Sequence, residues 1–187
     1  MTRASAAAFA VITAIAIACL TGGVVVVVEA CENVPSMSMD DACLKASTSQ
    51  PLLRLCHGEL LNAPESGELT VYAVIGAKMA QWSYEASSQA AARLLENPSL
   101  PGDERAAYEA CARRYASARS LVMDVQTQLL GCSYGSPKQE LIDARVHVEA
   151  CGGELWRFTA SPLYAMNADD QLKATLAYEL TGLIIGK

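Results

Sequence analysis

The sequence predicts an all-α protein, an up-down four-helix bundle with an N-terminal helical hairpin, stapled by disulfides. Three observations carry that reading. Beyond residue 30, apolar residues recur at helical spacing almost throughout, and no segment alternates apolar and polar residues long enough to read as a strand. Long amphipathic stretches are separated by short loops rich in Pro and Gly. Cys111 and Cys151, forty residues apart, each sit inside a strong helical pattern, so a bridge between them would tie two successive antiparallel helices at matching heights.

The chain has 187 residues and a formal charge of −6, with 52% hydrophobic residues. That length fits one domain plus a leader. The leader is residues 1–30. Arg3 supplies a positive start, Ala6 to Leu20 is almost unbroken apolar sequence, and Val28-Glu29-Ala30 ends in a cleavage-like pattern before Cys31. This reads as a secretory signal peptide cut after Ala30. The rival is an uncleaved anchor, since residues 6–28 are long enough to span a bilayer. Cleavage would remove Cys19, and it would remove Arg3 with Glu29, leaving the net charge unchanged. An acidic chain without a basic patch argues against nucleic acid as a partner.

Residues 31–64 are expected to form the hairpin, with Ser36 to Leu61 helical and a break near Gln50-Pro51. Residues 65–187 are expected to form the bundle. Its first long helix runs from about Gly67 to Glu96, with an apolar face through Val71, Ile75, Met79, Trp82, Ala86, Ala90 and Leu94. The loop Asn97 to Gly102 ends it, and Asp103 is placed to cap the next helix. That helix, about Glu104 to Leu130, carries the stripe Ala107, Cys111, Tyr115, Ala118, Val122, Val125, Leu129 and stops at Gly131. A third begins with Ser136 as cap and Pro137 in the first turn. Its stripe is Leu141, Ala144, Val148, Cys151, Leu155, Phe158, and Ser161-Pro162 breaks it. Asn167 is placed to cap the last helix, with Leu172, Leu176, Leu180 and Leu183 as its apolar face. Four such helices with short connections make an up-down bundle.

Removal of the leader would leave six cysteines, Cys31, Cys43, Cys56, Cys111, Cys132 and Cys151. Six allow fifteen pairings. Helix geometry favours Cys111 with Cys151, on the core stripes of adjacent helices, and Cys43 with Cys56, flanking the hairpin turn. Cys31 and Cys132 can then pair with each other, or remain thiols, or bond to another molecule.

These residues resemble the plant invertase and pectin methylesterase inhibitor family. Cys43, Thr48, Pro51, Leu55 and Cys56 stand in the roles of its first motif, with slightly longer spacing, and Pro64 follows as the family's proline often does. Tyr108-Glu109-Ala110-Cys111 with Tyr115 stands for the second motif, and the step to Cys151 matches. The resemblance spans Cys43 to Lys187. It departs at Gly152-Gly153, where an acidic pair is usual, and in the extra Cys31 and Cys132. It implies a secreted hairpin-plus-bundle protein, with one bridge in each part, that inhibits without catalysis. Such a protein would dock on a cell-wall enzyme in the apoplast and cover its substrate cleft. Pectin methylesterase is the favoured target and acid invertase the alternative. Invertase-directed members resemble one another in a Pro-Lys-Phe element; here it reads Pro137-Lys138-Gln139, keeping the proline and the lysine and losing the aromatic. Lys138 is suited to a target carboxylate, although Pro137 and Lys138 also suffice simply to start a helix.

Arg113 and Arg114, with Arg119, give the second long helix a basic face, either a solvated surface or a contact for an acidic partner. Trp82 and Trp156 lie near apolar stripes and are expected to fill the core; an exposed indole would instead be an interface anchor. No catalytic set, cofactor loop or metal site is read. His147, Glu149 and Cys151 form a superficial ligand string but cannot closely share one helical face. His57 is expected to be a solvated hairpin residue. The pairs Asp40-Asp41 and Asp169-Asp170 are placed at helix starts. The competing reading from another class is a helical carrier of small apolar ligands, which would need an internal cavity.

Overall fold

The computed structural model describes residues 31–186, so the signal-peptide assignment to residues 1–30, with Cys19, lies outside the described residues. The described chain is a helical bundle with a small preceding unit. In order it runs β1 (Ser36–Ser38), α1 (Met39–Ala46), α2 (Gln50–Glu59), β2 (Ser66–Glu68), α3 (Leu69–Leu95), α4 (Gly102–Leu130), α5 (Pro137–Leu155) and α6 (Pro162–Ile185). The four long helices pack as a ring: α3 against α4 and α6, and α5 against α4 and α6. The hairpin α1–α2 lies on α6 and α3.

The ends of the elements follow from local chemistry. Ser38 Oγ accepts from Asp41 N–H at 3.0 Å, and Ser49 Oγ accepts from Leu52 N–H, so each short helix has a side-chain cap. Pro51 sits in the first turn of α2, where a missing N–H costs nothing. Gly131 closes α4 and Ser136 precedes α5. The α3–α4 turn is latched by Arg105, which donates to Leu95 O at 3.0 Å and Asn97 O at 2.7 Å.

Several expectations are corrected. A two-stranded antiparallel ribbon exists, pairing Ser36 with Glu68, Met37 with Gly67 and Ser38 with Ser66. Each strand is three residues long, too short for any alternation to show. Asp103 does not cap α4: the helix begins at Gly102, and Asp103 lies in its first turn. Ser161 and Pro162 begin α6 rather than only breaking the chain, and Ser161 Oγ accepts from Leu163 N–H. Asn167 therefore lies inside α6, and so do Asp169 and Asp170.

The largest correction is the phase of α3. Its buried residues include Tyr72, Ala73, Gly76, Ala77, Ala80, Tyr84, Ser87 and Ala91, while Trp82 and Ala86 are exposed and Val71, Ile75 and Met79 only half-buried. Small residues hold the middle of the inward stripe, at Gly76, Ala77 and Ala80, because α6 comes close there. A Cβ on Gly76 would lie 3.0 Å from Leu180 Cδ1 and 3.5 Å from Ala177 Cα. Tyrosines then fill the wider spaces, and Tyr84 and Tyr115 meet with centroids 6.0 Å apart. The stripe of α4 is buried as expected, and that of α5 is buried from Leu141 to Leu155, with Phe158 half-buried beyond the helix. On α6, Leu176 and Leu180 are buried, while Leu172 and Leu183 are only partly so.

Three disulfides bind the parts. Cys43–Cys56 closes the hairpin, Cys111–Cys151 joins α4 to α5, and Cys31–Cys132 ties the start of the described chain to the α4–α5 loop. Cys132 takes φ +53°, a left-handed turn immediately after the helix end.

Candidate functional site

The residues expected to meet a partner do not form one cluster. Pro137 opens α5 and is buried, so it is a helix-starting residue here. Lys138 is half-buried, with its ammonium 5.5 Å from the centre of the Tyr178 ring on α6. Arg113 and Arg114 are exposed on α4. The Cys111–Cys151 bridge holds α4 and α5 in register, which puts this arginine pair roughly ten residues, about 15 Å, along the axis from Lys138. Arg119 is engaged within the fold, 2.6 Å from the Glu85 carboxylate of α3.

The α5–α6 face carries a better-defined feature. A cleft of about 470 Å³ lies between the two helices, walled by Arg145, Glu149, Trp156, Tyr164 and Gln171. The indole of Trp156 is 68% exposed, and the Arg157 guanidinium lies 6.0 Å from its ring. Further along, the Tyr178 ring faces two cations, Lys138 and Arg145, the latter at 5.6 Å. Arg145 also reaches the Glu149 carboxylate at 3.5 Å. Trp82, on α3, is likewise 54% exposed, beneath the Lys78 ammonium at 5.0 Å. Neither tryptophan fills the core: Trp82 lies off the buried stripe of α3, and Trp156 sits at the C-terminal end of α5, just past the buried Leu155.

The floor of the cleft is built from Gly152 and Asn167. Asn167 is buried and fully used: its Nδ2 donates to Tyr115 Oη at 3.0 Å and Val148 O at 2.9 Å, and its Oδ1 accepts from Gln171 Nε2 at 2.7 Å. Gly152 is required at this point, since a Cβ there would lie 2.6 Å from Asn167 Oδ1.

Beneath the face lies a polar core that sequence reasoning missed. Asp170 is 1% exposed and accepts from the hydroxyls of Ser83 and Ser87 on α3, the second at 2.6 Å. Lys173 Nζ reaches Ser83 Oγ at 3.3 Å and the Glu59 carboxylate of α2 at 3.5 Å, linking hairpin to bundle. Burial pushes the Tyr84 and Tyr115 phenols far above their ordinary range, and the Asp170 charge adds to the shift in both. The signal in the sequence is Ser83 and Ser87, two hydroxyls one helical turn apart and off the stripe of bulky apolar residues on α3.

The remaining candidates have structural places. His57 Nδ1 lies 3.5 Å from Asp40 on the hairpin surface. Asp40 and Asp41 do occupy the first turn of α1. Cys151 is bridged, so the string with His147 and Glu149 has no thiolate to offer a metal. Among the described residues no group of three His, Cys, Asp or Glu side chains gathers as a metal site.

No family model matches the sequence, and none of the curated proteins matches it. Among solved structures, the chain is similar to a mutant form of a pectin methylesterase inhibitor from Arabidopsis. The TM-score is 0.68 at 13% identity, covering 79% of this chain and 98% of the other. The two share a fold, and the resemblance read from Cys43 to Lys187 holds at that level.

Proposed function

We propose that this protein is an exported, non-catalytic inhibitor that covers the active-site cleft of a cell-wall carbohydrate-active enzyme, pectin methylesterase first. The observation that carries the reading is the fold shared with a pectin methylesterase inhibitor, cross-linked at three levels and presenting exposed aromatic and charged groups on the α5–α6 face. A rigid surface loses little conformational entropy on docking, so more of the contact energy remains as affinity. Trp156 and Tyr164 are the aromatic anchors of that face, and Lys138 and Arg145 its cations. Residues 1–30 serve as the export signal, and residues 31–187 form the inhibitor in the apoplast. Among the described residues no helix is long and apolar enough to cross a membrane.

Acid invertase is the second target, favoured by Pro137-Lys138 at the start of α5. A carrier of apolar ligands would use an enclosed apolar chamber. The two clefts that stand out are both open and bordered by charged side chains, Arg145 and Glu149 in one, Arg93, Glu104 and Arg157 in the other.

The test is to titrate the oxidised protein against purified pectin methylesterase and acid invertase in parallel. Stoichiometric loss of esterase activity is expected, and Trp156→Ala is expected to weaken binding at least tenfold, about 1.4 kcal/mol. Full activity of both enzymes with the protein in molar excess would overturn the reading.

A further inference from the structure

At the start of the described chain a backbone nitrogen meets a carboxylate that is only half satisfied, an arrangement that a free amino terminus would complete. Cys31 is buried, 7% exposed, and bridged to Cys132. Its backbone nitrogen donates to Glu68 Oε2 at 3.0 Å. Glu68 occupies the position before α3, where a side chain commonly caps the helix, yet it makes no cap hydrogen bond. Its other oxygen, Oε1, is buried without a hydrogen-bond partner. Among the described residues no lysine or arginine pairs with Glu68; the salt bridges present lie elsewhere. A buried carboxylate oxygen left unpaired is costly. An amide nitrogen has one hydrogen and has already used it.

We infer that the bond between Ala30 and Cys31 is the processing site, and that the Cys31 α-ammonium it releases forms a buried ion pair with both oxygens of Glu68. In the hydrolysis, water oxygen adds to the Ala30 carbonyl carbon, which leaves as a carboxylate. The nitrogen stays with Cys31 as an amine, protonated at neutral pH. One donor becomes three, and a neutral group becomes a cation facing the carboxylate that lacks one. Cleavage precedes burial: the scissile bond is cut in the extended chain, and the turn at Asn33, with φ +64°, then returns Cys31 to β2 and α3. The Cys31–Cys132 bridge holds the ammonium in place. Other ionisable groups on the elements around it include Glu32 in the turn, Glu65 just before β2, Tyr72 of α3, whose hydroxyl donates to Pro64 O at 2.9 Å, and Tyr134 of the α4–α5 loop, whose hydroxyl is 3.0 Å from Thr70 Oγ1.

The inference rests on the export reading and is independent of which enzyme, if any, is blocked. Its test therefore uses no inhibition assay. The full chain is expressed in a secreting host with ¹⁵N-cysteine, and the secreted protein is sequenced from its amino end. Cys31 is expected as the first residue; any other start overturns the inference. The α-amine is then titrated by ¹⁵N NMR. Its midpoint is expected roughly one to three pH units above the ordinary value near 8, and to fall back in Glu68→Gln. A midpoint in the ordinary range, or one unmoved by Glu68→Gln, overturns the ion pair even where Cys31 is first. As a check that does not depend on that variant folding well, a form retaining Ala30 is compared with the mature form by thermal melting. With the ammonium held by Glu68, the mature form's advantage is expected to be complete below about pH 8 and to fade as pH rises through the shifted midpoint. Parallel curves for the two forms at all pH values overturn the pair.

Discussion

Tyr84 and Tyr115 meet in one core, their rings tilted by 41°, but are differently provided for. The Tyr84 hydroxyl is buried with no hydrogen-bond partner, whereas Tyr115 accepts from Asn167. Removing an unpaired buried hydroxyl relieves a desolvation cost, while removing a paired one strands its partner. Tyr84→Phe is therefore expected to raise stability by about 1 kcal/mol and Tyr115→Phe to lower it by about as much, read from denaturant midpoints. The two phenols also set an alkaline limit. Both are held neutral by burial, with Asp170 reinforcing. Phenols in the unfolded chain ionise near pH 10, so the unfolded state binds fewer protons above that pH and stability falls as pH rises further. Tyr84→Phe should make that decline shallower in a pH series of melting curves. At Asp170 itself, Asp170→Ala leaves the buried Ser87 hydroxyl and the half-buried Ser83 hydroxyl without their acceptor. A loss of about 3 kcal/mol is expected by chemical denaturation.

Between elements, α5 and α6 are spaced by a glycine. Gly152 and Gly153 are adjacent, and helix propensity alone favours alanine over glycine by nearly 1 kcal/mol at either. The structure separates them. A Cβ at Gly153 meets nothing within 4 Å, but at Gly152 it meets Asn167 Oδ1 at 2.6 Å and Gln171 Nε2 at 2.8 Å. Asn167 has no room to yield, being tied to Tyr115 and Val148. Gly153→Ala should thus stabilise by about 0.5–1 kcal/mol, and Gly152→Ala should destabilise by about 1–3 kcal/mol. Thermal melting of the pair decides it: equal effects would mean that the helices are not locked at this point.

For the whole molecule, the three bridges close loops of very different length. Cys43–Cys56 spans 13 residues, Cys111–Cys151 spans 40 and Cys31–Cys132 spans 101. Loop entropy assigns them about 3, 4 and 5 kcal/mol respectively. The longest bridge restrains the unfolded chain most while touching only one end of the fold. The Cys31→Ser, Cys132→Ser double variant is accordingly expected to lose more stability in urea than the Cys43→Ser, Cys56→Ser variant. It should keep the α5–α6 face intact, since that face is held by Cys111–Cys151 and the Asn167 bonds.

Helix number, order and much of the inward side of α4 and α5 were readable from the sequence, because Val, Leu, Cys and Tyr at helical spacing have only one way to leave water. The pairings Cys43–Cys56 and Cys111–Cys151 followed from the same periodicity. What only the tertiary structure decided was the rotation of α3, the exposure of Trp82 and Trp156, and the buried role of Asp170. Bulk marks a core when helices stand well apart. Here Gly76, Ala77 and Ala80 bring α3 against its neighbours, so small residues and two tyrosines turn inward, Trp82 turns out, and a carboxylate is buried because two serines arrive from another helix to meet it. Hydrogen bonds and contacts across that distance in sequence have no local signature, and the docking face that depends on them becomes visible only once the helices are packed.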